Sequence, residues 1–152
     1  MERPPALHAI LPAMLCRVLF HSATALTGLF GVAHFTGFLA ALDAARTDPA
    51  LAEVTRLMRA HVSPLGGMSP SLLDFREYFS AAFSPLLLTI ALLNYLALRH
   101  AADPTAMLRA LCLVNIGAML ILLALSIYHS IFQGILTCAL ITILFLAAWL
   151  TS

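Results

Sequence analysis

The sequence predicts an all-α integral membrane protein, a four-helix transmembrane bundle with an amphipathic helix in its first long loop. Three observations predict it. The chain of 152 residues is 62% hydrophobic and only 10% charged, with a mean hydropathy of +0.98, whereas a soluble domain carries about 25% charged residues. The charges are also unevenly placed: no Asp, Glu, Lys or Arg occurs between Arg17 and Asp43, between Glu77 and Arg99, or after Arg109. A helix rises about 1.5 Å per residue and the hydrocarbon core is about 30 Å thick, so one crossing takes about 20 apolar residues. The first two gaps each hold one span, and the third, residues 110–152, would run about 64 Å as one helix and must cross twice. Finally, runs such as "LLLTIALLNYLAL" lack the alternation of a membrane β-barrel, the only other structure that crosses lipid with a satisfied backbone.

The elements follow in order as a single domain. The opening "MERPPALHAILPAMLCR" does not read as a cleavable leader, with an acid at position 2, Pro4 and Pro5, and an arginine after its short apolar run. Spans are expected at about 18–42, 80–99, 105–128 and 132–150, bounded by the charge-free gaps and turns. Four X-Pro steps punctuate the chain like helix starts: Asp48-Pro49, Ser69-Pro70, Ser84-Pro85 and Asp103-Pro104. Each offers an oxygen-bearing side chain at N-cap and a proline at N1, where its missing N–H costs nothing. The first opens "PALAEVTRLMRAH", which places Leu51, Val54, Leu57 and Met58 on one stripe with Glu53, Arg56 and Arg59 off it. This predicts a surface helix over about 49–61 lying on the membrane. "SPLGGMSP" then breaks the chain. The next helix is expected to start near Pro70 or Ser71 and to kink or rewind near Pro85, because a start at Pro85 leaves a span of only about 22 Å. "RHAADP" makes a tight hairpin between spans two and three, and "YHSIFQG" turns span three into span four.

Arginine placement gives an orientation. Arg3, Arg17, Arg99 and Arg109 fall on the N-terminal side and Arg46, Arg56, Arg59 and Arg76 in the long first loop, with no lysine anywhere. The short-loop pair Arg99 and Arg109 carries most weight under the positive-inside rule. A bacterial inner-membrane protein with both termini in the cytoplasm and the 43–79 loop outside is the expectation. Cys16, Cys112 and Cys138 are odd in number and form no CxxC, so they read as small buried hydrophobes.

The polar residues inside the spans carry the functional question. At 100° per residue, Arg17, His21, Thr24, Thr27, Gly28, Gly31 and His34 fall within about 140° of arc on span one. This small and polar face must meet protein, because lipid cannot satisfy it. Its plainest role is helix packing through Thr24, Thr27, Gly28 and Gly31. His21, Asn94 and Asn115 each lie about 6–9 Å in from an arginine at the same membrane face, so Arg17, His21, Asn94 and Asn115 are expected to form an inner polar layer. Interhelical hydrogen bonds of this kind are worth about 0.6 kcal/mol each.

The outer end gathers His34, Asp74, Glu77, Tyr78, His129 and Gln133. Imidazoles and carboxylates are ligand types for a transition metal. No HExxH or ExxH fixes a geometry, however, and no metal ligand set is assigned. An interfacial network is the simpler reading, with Asp74 and Glu77 facing Arg76 or the loop arginines. Between the two lies a pocket for an amphiphile, with Phe30, Phe35, Phe38, Phe75, Phe79 and Phe83 as walls and His34 or Tyr78 as polar handle; a quinone or a lipid headgroup suits it. His21 and His34 lie about 20 Å apart along one helix and cannot ligate one haem iron, which leaves only His34 with His129 for that role. No charged residue lies deep in a span, as a transporter would need, and no nucleic-acid partner is implied.

An arginine opening the first span, then "GLFGVAH", four compact spans and a tight central hairpin together resemble the DoxX-like small bacterial membrane proteins. The residue-level part is Arg17, Gly28, Gly31 and His34; the long first loop and the lack of a lysine after the glycines depart from the family pattern. The resemblance implies a membrane subunit of the kind some members form with quinone-coupled redox enzymes. Three functions are therefore expected to compete. One is a non-enzymatic subunit or binding protein holding a quinone or lipid near His34 and residues 74–79. Another is a membrane redox enzyme or accessory with a metal or proton site at His34, His129, Asp74 and Glu77. The third is an assembly partner, of another membrane protein or of its own copy, packing through Gly28 and Gly31. Cofactor and reaction are left open.

Overall fold

A computed structural model describes residues 7–64 and 66–152; Arg3, counted in the orientation argument, lies outside them. The described chain forms five helices: α1 (Leu7–Thr47), α2 (Pro49–Ala60), α3 (Leu72–His100), α4 (Pro104–Tyr128) and α5 (Phe132–Leu150). Four stretches are long and apolar enough to cross a membrane, namely Met14–Thr47, Leu72–His100, Pro104–Tyr128 and Phe132–Leu150. The protein is an all-α, multi-pass, four-helix membrane protein, with α2 as the amphipathic helix in the first long loop.

Two of the four X-Pro steps start helices. Asp48 Oδ1 accepts from Ala50 N at 2.8 Å, and Asp103 Oδ1 accepts from Thr105 N and Ala106 N, each at 3.0 Å. Pro49 and Pro104 sit in the first turn, where no partner is lost. The other two steps do not themselves start helices; α3 begins at Leu72, in line with the expected start near Pro70 or Ser71. Ser69-Pro70 belongs to a loop closed by the isolated bridge Val62–Ser71, with Ser63 N donating to Pro70 O at 3.0 Å and Leu72 N to His61 O at 2.9 Å. Gly66 and Gly67, at φ +56° and +84°, turn that loop through the left-handed region. Ser71 caps α3 instead: Asp74 Oδ2 accepts from Ser71 N at 2.8 Å and Ser71 Oγ at 2.7 Å, while Asp74 N donates back to Ser71 Oγ at 3.2 Å. This is a capping box with Asp in the acidic position. At Ser84-Pro85 α3 runs on as helix, so the proline removes one backbone donor and leaves the carbonyl four residues earlier without it.

The turn from α4 to α5 is a Schellman motif. Ile131 N donates to Ser126 O at 2.8 Å and Ser130 N to Ile127 O at 3.0 Å, with Ser130 at φ +55°.

The chain divides into two compact units. Unit 1 is Met1–Gly28 with Ile90–Ser152, and unit 2 is Leu29–Thr89. The apolar core of unit 1 includes Phe20, Ala23, Leu108, Met119, Ile141 and Phe145, with Phe20 and Phe145 edge to face at 5.7 Å. Cys16, Cys112 and Cys138 are all buried there. The core of unit 2 centres on Leu73 and Leu87. Within α2 no residue is buried. Glu53 and Arg56 form a bidentate pair at 2.7 and 2.6 Å, and that hydrogen bonding holds the Glu53 carboxyl below its ordinary range and the Arg56 guanidinium above its own.

Candidate functional site

In unit 1 the described arginines and the one described acid gather at the end where α3 finishes and α4 begins. A cleft of about 350 Å3 is lined by Arg17 and His21 from α1, by Tyr95, Leu98 and Arg99 from α3, and by Pro104 from α4. Spacing explains why these side chains share it. Arg17 and His21 are one turn apart on α1, Tyr95 and Arg99 one turn apart on α3, and residues at i and i+4 lie on one helix face. The rings of His21 and Tyr95 are 6.5 Å apart, and an Arg99 Nη1 donates to Tyr95 Oη at 3.4 Å. A second cleft, of about 340 Å3, shares Arg17 and Pro104 and adds Pro12, Cys16, Leu108 and Ser152 to its walls. Arg109 closes that side by donating from Nε to Ser152 Oγ at 3.1 Å and from Nη2 to Ser152 O.

One turn deeper, Asn94 and Asn115 exchange amide hydrogen bonds at 3.1 and 3.0 Å, and Asn115 Nδ2 also donates to Leu111 O at 2.7 Å. Both are 3% exposed. The four residues expected as an inner layer thus lie in one unit but do two jobs: the asparagines tie α3 to α4, and Arg17 and His21 open onto the cleft. On the same face of α1, Thr24 and Thr27 are buried; Thr27 Oγ1 donates to Ala23 O at 2.9 Å, and Thr24 Oγ1 has no partner. Gly28 is half-buried.

Unit 2 holds His34, Asp74, Glu77 and Tyr78 of the outer set. Gly31 meets α3 closely, since a Cβ there would lie 3.0 Å from Ser84 O and 3.1 Å from Leu87 Cβ. One turn along, the half-buried His34 sets its ring edge to face on Phe83 at 4.9 Å, and Phe83 meets Phe30 in the same way at 5.9 Å. His34 Nε2 is buried and has no hydrogen-bond partner; neither has Ser84 Oγ, on a residue 2% exposed. Phe75 stacks on Phe79 at 6.5 Å, and Phe79 meets Tyr78 at 5.5 Å, with Tyr78 and Phe79 largely exposed. Phe35 and Phe38 are 6.5 Å apart.

Among the described residues Asp74 and Glu77 form no ion pair, but the loop Arg59 does act on Asp74 through its charge. Asp74 is committed to capping α3 through Ser71, and the ion pair found among the described residues is Arg56 with Glu53. His129 caps the end of α4 with its ring edge to face on Tyr128 at 4.9 Å, and both it and Gln133 are exposed in unit 1. Among the described residues no group of three His, Cys, Asp or Glu side chains is placed to hold a metal ion. Reasoning from the sequence missed two contributors. Tyr95 was legible as the residue one turn before Arg99. Ser84, read as a cap, is instead a buried hydroxyl inside α3.

The chain matches no protein-family model, no curated protein and no solved structure.

Proposed function

We propose that this protein is a non-enzymatic membrane subunit or binding protein that holds a small amphiphile, a quinone or a lipid, against the aromatic side of unit 2, with His34 as the polar handle. The observation that carries the reading is the His34 Nε2 atom, buried among Phe30 and Phe83 without a hydrogen-bond partner. A buried polar group left unsatisfied costs about 1–3 kcal/mol. An imidazole nitrogen can donate to a carbonyl or accept from a hydroxyl, and a quinone or lipid ester presents such groups on an apolar body. Ser84 Oγ is a second unsatisfied group on the helix that packs there. The DoxX-like resemblance through Arg17, Gly28, Gly31 and His34 supports the same class, with a bacterial inner membrane as its location and a larger membrane enzyme as the natural partner. The redox alternative is weakened by Asp74, which is spent on its cap. The assembly alternative is weakened at Gly31, whose open side is already filled by Ser84 and Leu87.

The test is mass spectrometry of a solvent extract of the protein purified in mild detergent. A stoichiometric quinone or lipid is expected in the native protein, lost in His34→Leu and largely kept in His34→Gln. An extract whose composition is the same in all three proteins overturns the reading.

A further inference from the structure

Unit 1 carries three described arginines, Arg17, Arg99 and Arg109, and one described acid, Asp103. Arg109 is held by Ser152, and Asp103 by the backbone N–H groups of α4 that it caps. Among the described residues, Arg17 and Arg99 therefore face one cleft with no carboxylate within ion-pair distance. The cleft, at about 350 Å3, is within the size range of small-molecule sites, about 300–1,000 Å3. Its other polar groups, the Tyr95 hydroxyl and the His21 imidazole, can both donate hydrogen bonds. Two guanidiniums and two further donors, with no acid among these lining groups, match an oxyanion that accepts bidentate hydrogen bonds.

The position of the cleft narrows the anion. It lies where the apolar segment of α3 ends and that of α4 begins, at the depth of lipid headgroups. Leu92 and Leu96, 56% and 38% exposed, precede Tyr95 and Arg99 on the same stripe of α3, at the i, i+3, i+4, i+7 spacing. An acyl chain lying on Leu92 and Leu96 would bring its phosphate to Arg99.

We infer that the Arg17–Arg99 cleft binds a phosphate-bearing anion, the headgroup of an anionic phospholipid, through the two guanidiniums with Tyr95 and His21 as further donors. The site is separate from the amphiphile site of unit 2 and rests on none of its residues. Basic pockets between membrane helices hold such headgroups by charge and hydrogen bonding together.

The experiment is a titration of delipidated, detergent-purified protein with phosphatidylglycerol and with phosphatidylcholine, read by native mass spectrometry. Phosphatidylglycerol is expected to bind at least tenfold more tightly. The double variant Arg17→Gln/Arg99→Gln should lose about tenfold or more of that affinity, since each basic group near an anionic lipid adds roughly a factor of five. Arg17→Lys/Arg99→Lys should keep most of it, which separates charge from folding, and Arg46→Gln, an exposed arginine of unit 2, should leave it unchanged. Inorganic phosphate then identifies the source. If a large excess fails to displace phosphatidylglycerol, the occupant is the lipid; if phosphate displaces it at comparable concentration, the site takes the free anion by the same chemistry. Equal affinity for the two lipids, or phosphatidylglycerol binding unaltered in the glutamine variant, overturns the proposal.

Discussion

Asn94 and Asn115 show why a polar residue inside a span is best judged by its partner. Each amide is both donor and acceptor to the other, so truncating Asn115 leaves Asn94 with neither bond and truncating Asn94 leaves Asn115 with only its bond to Leu111 O. Asn94→Leu is expected to destabilise the detergent-solubilised protein by about 1–2 kcal/mol, more than the roughly 0.6 kcal/mol typical of an interhelical hydrogen bond, because the Asn115 Oδ1 is then buried unsatisfied while its Nδ2 keeps only Leu111 O. Asn94→Leu/Asn115→Leu removes both polar groups and should recover much of the loss, since replacing both partners by apolar groups is close to neutral. Thermal unfolding of the two single variants and the double variant measures the coupling. A double variant as destabilised as the sum of the singles would show that the pair contributes no mutual bond. His34 is the contrast: it is half-buried, and its buried Nε2 has no partner.

At the level of the element, the two aspartates before proline announced their helices, and the two serines did not, for different reasons. Ser69 loses to Ser71, which has Asp74 three residues on and so makes a reciprocal cap that Ser69 cannot; that Ser-x-x-Asp spacing was readable in the sequence. Ser84-Pro85 fails as a start because ending a helix in lipid exposes several backbone groups, whereas running through proline leaves one carbonyl unbonded. The site was legible to a similar degree. Depth along a helix follows from residue counting, so Arg17 could be set level with Arg99, and Asn94 with Asn115. Which side of the helix each residue presents to a neighbour depends on packing, so Tyr95 was legible beside Arg99 by spacing while its closeness to His21 was not. The α2 helix was readable in full, from its Asp48 cap to its stripe, and its apolar residues Leu51, Val54 and Leu57 are 43%, 52% and 54% exposed. An apolar stripe left uncovered beside membrane spans is expected to rest on the bilayer. The lowered Glu53 carboxyl keeps its pair with Arg56 intact above the ordinary glutamate range; the pair is lost only as pH falls through that lowered value. In a Trp149→Phe background, Val54→Trp in vesicles at neutral pH should fluoresce blue-shifted and be quenched by brominated lipids. A red-shifted, unquenched spectrum would place the stripe in water.

For the whole molecule, four crossings would put the start of α1 and the end of α5 on one side of the membrane, and arginine placement predicts which. The α3–α4 turn is short and flanked by Arg99 and Arg109, the arrangement the positive-inside rule weighs most, while Arg46, Arg56, Arg59 and Arg76 lie in a longer loop; the acids of that loop count for little under the rule. The expected topology has the α3–α4 turn and both termini in the cytoplasm and the α2 loop outside. Because Cys16, Cys112 and Cys138 are buried, single cysteines added at exposed sites report cleanly. Met68→Cys, in the first loop, should react with a membrane-impermeant maleimide in intact spheroplasts, and Ala102→Cys, in the α3–α4 turn, only after permeabilisation. The reverse pattern would invert the protein; labelling of both in intact spheroplasts would refute an odd number of crossings between them. The outcome also bears on the arginine cleft, because the negative surface potential that draws basic groups belongs to the cytoplasmic leaflet. In the expected topology Arg17 and Arg99 meet that leaflet, where a cleft with no carboxylate among its described lining residues gains most from an anionic headgroup.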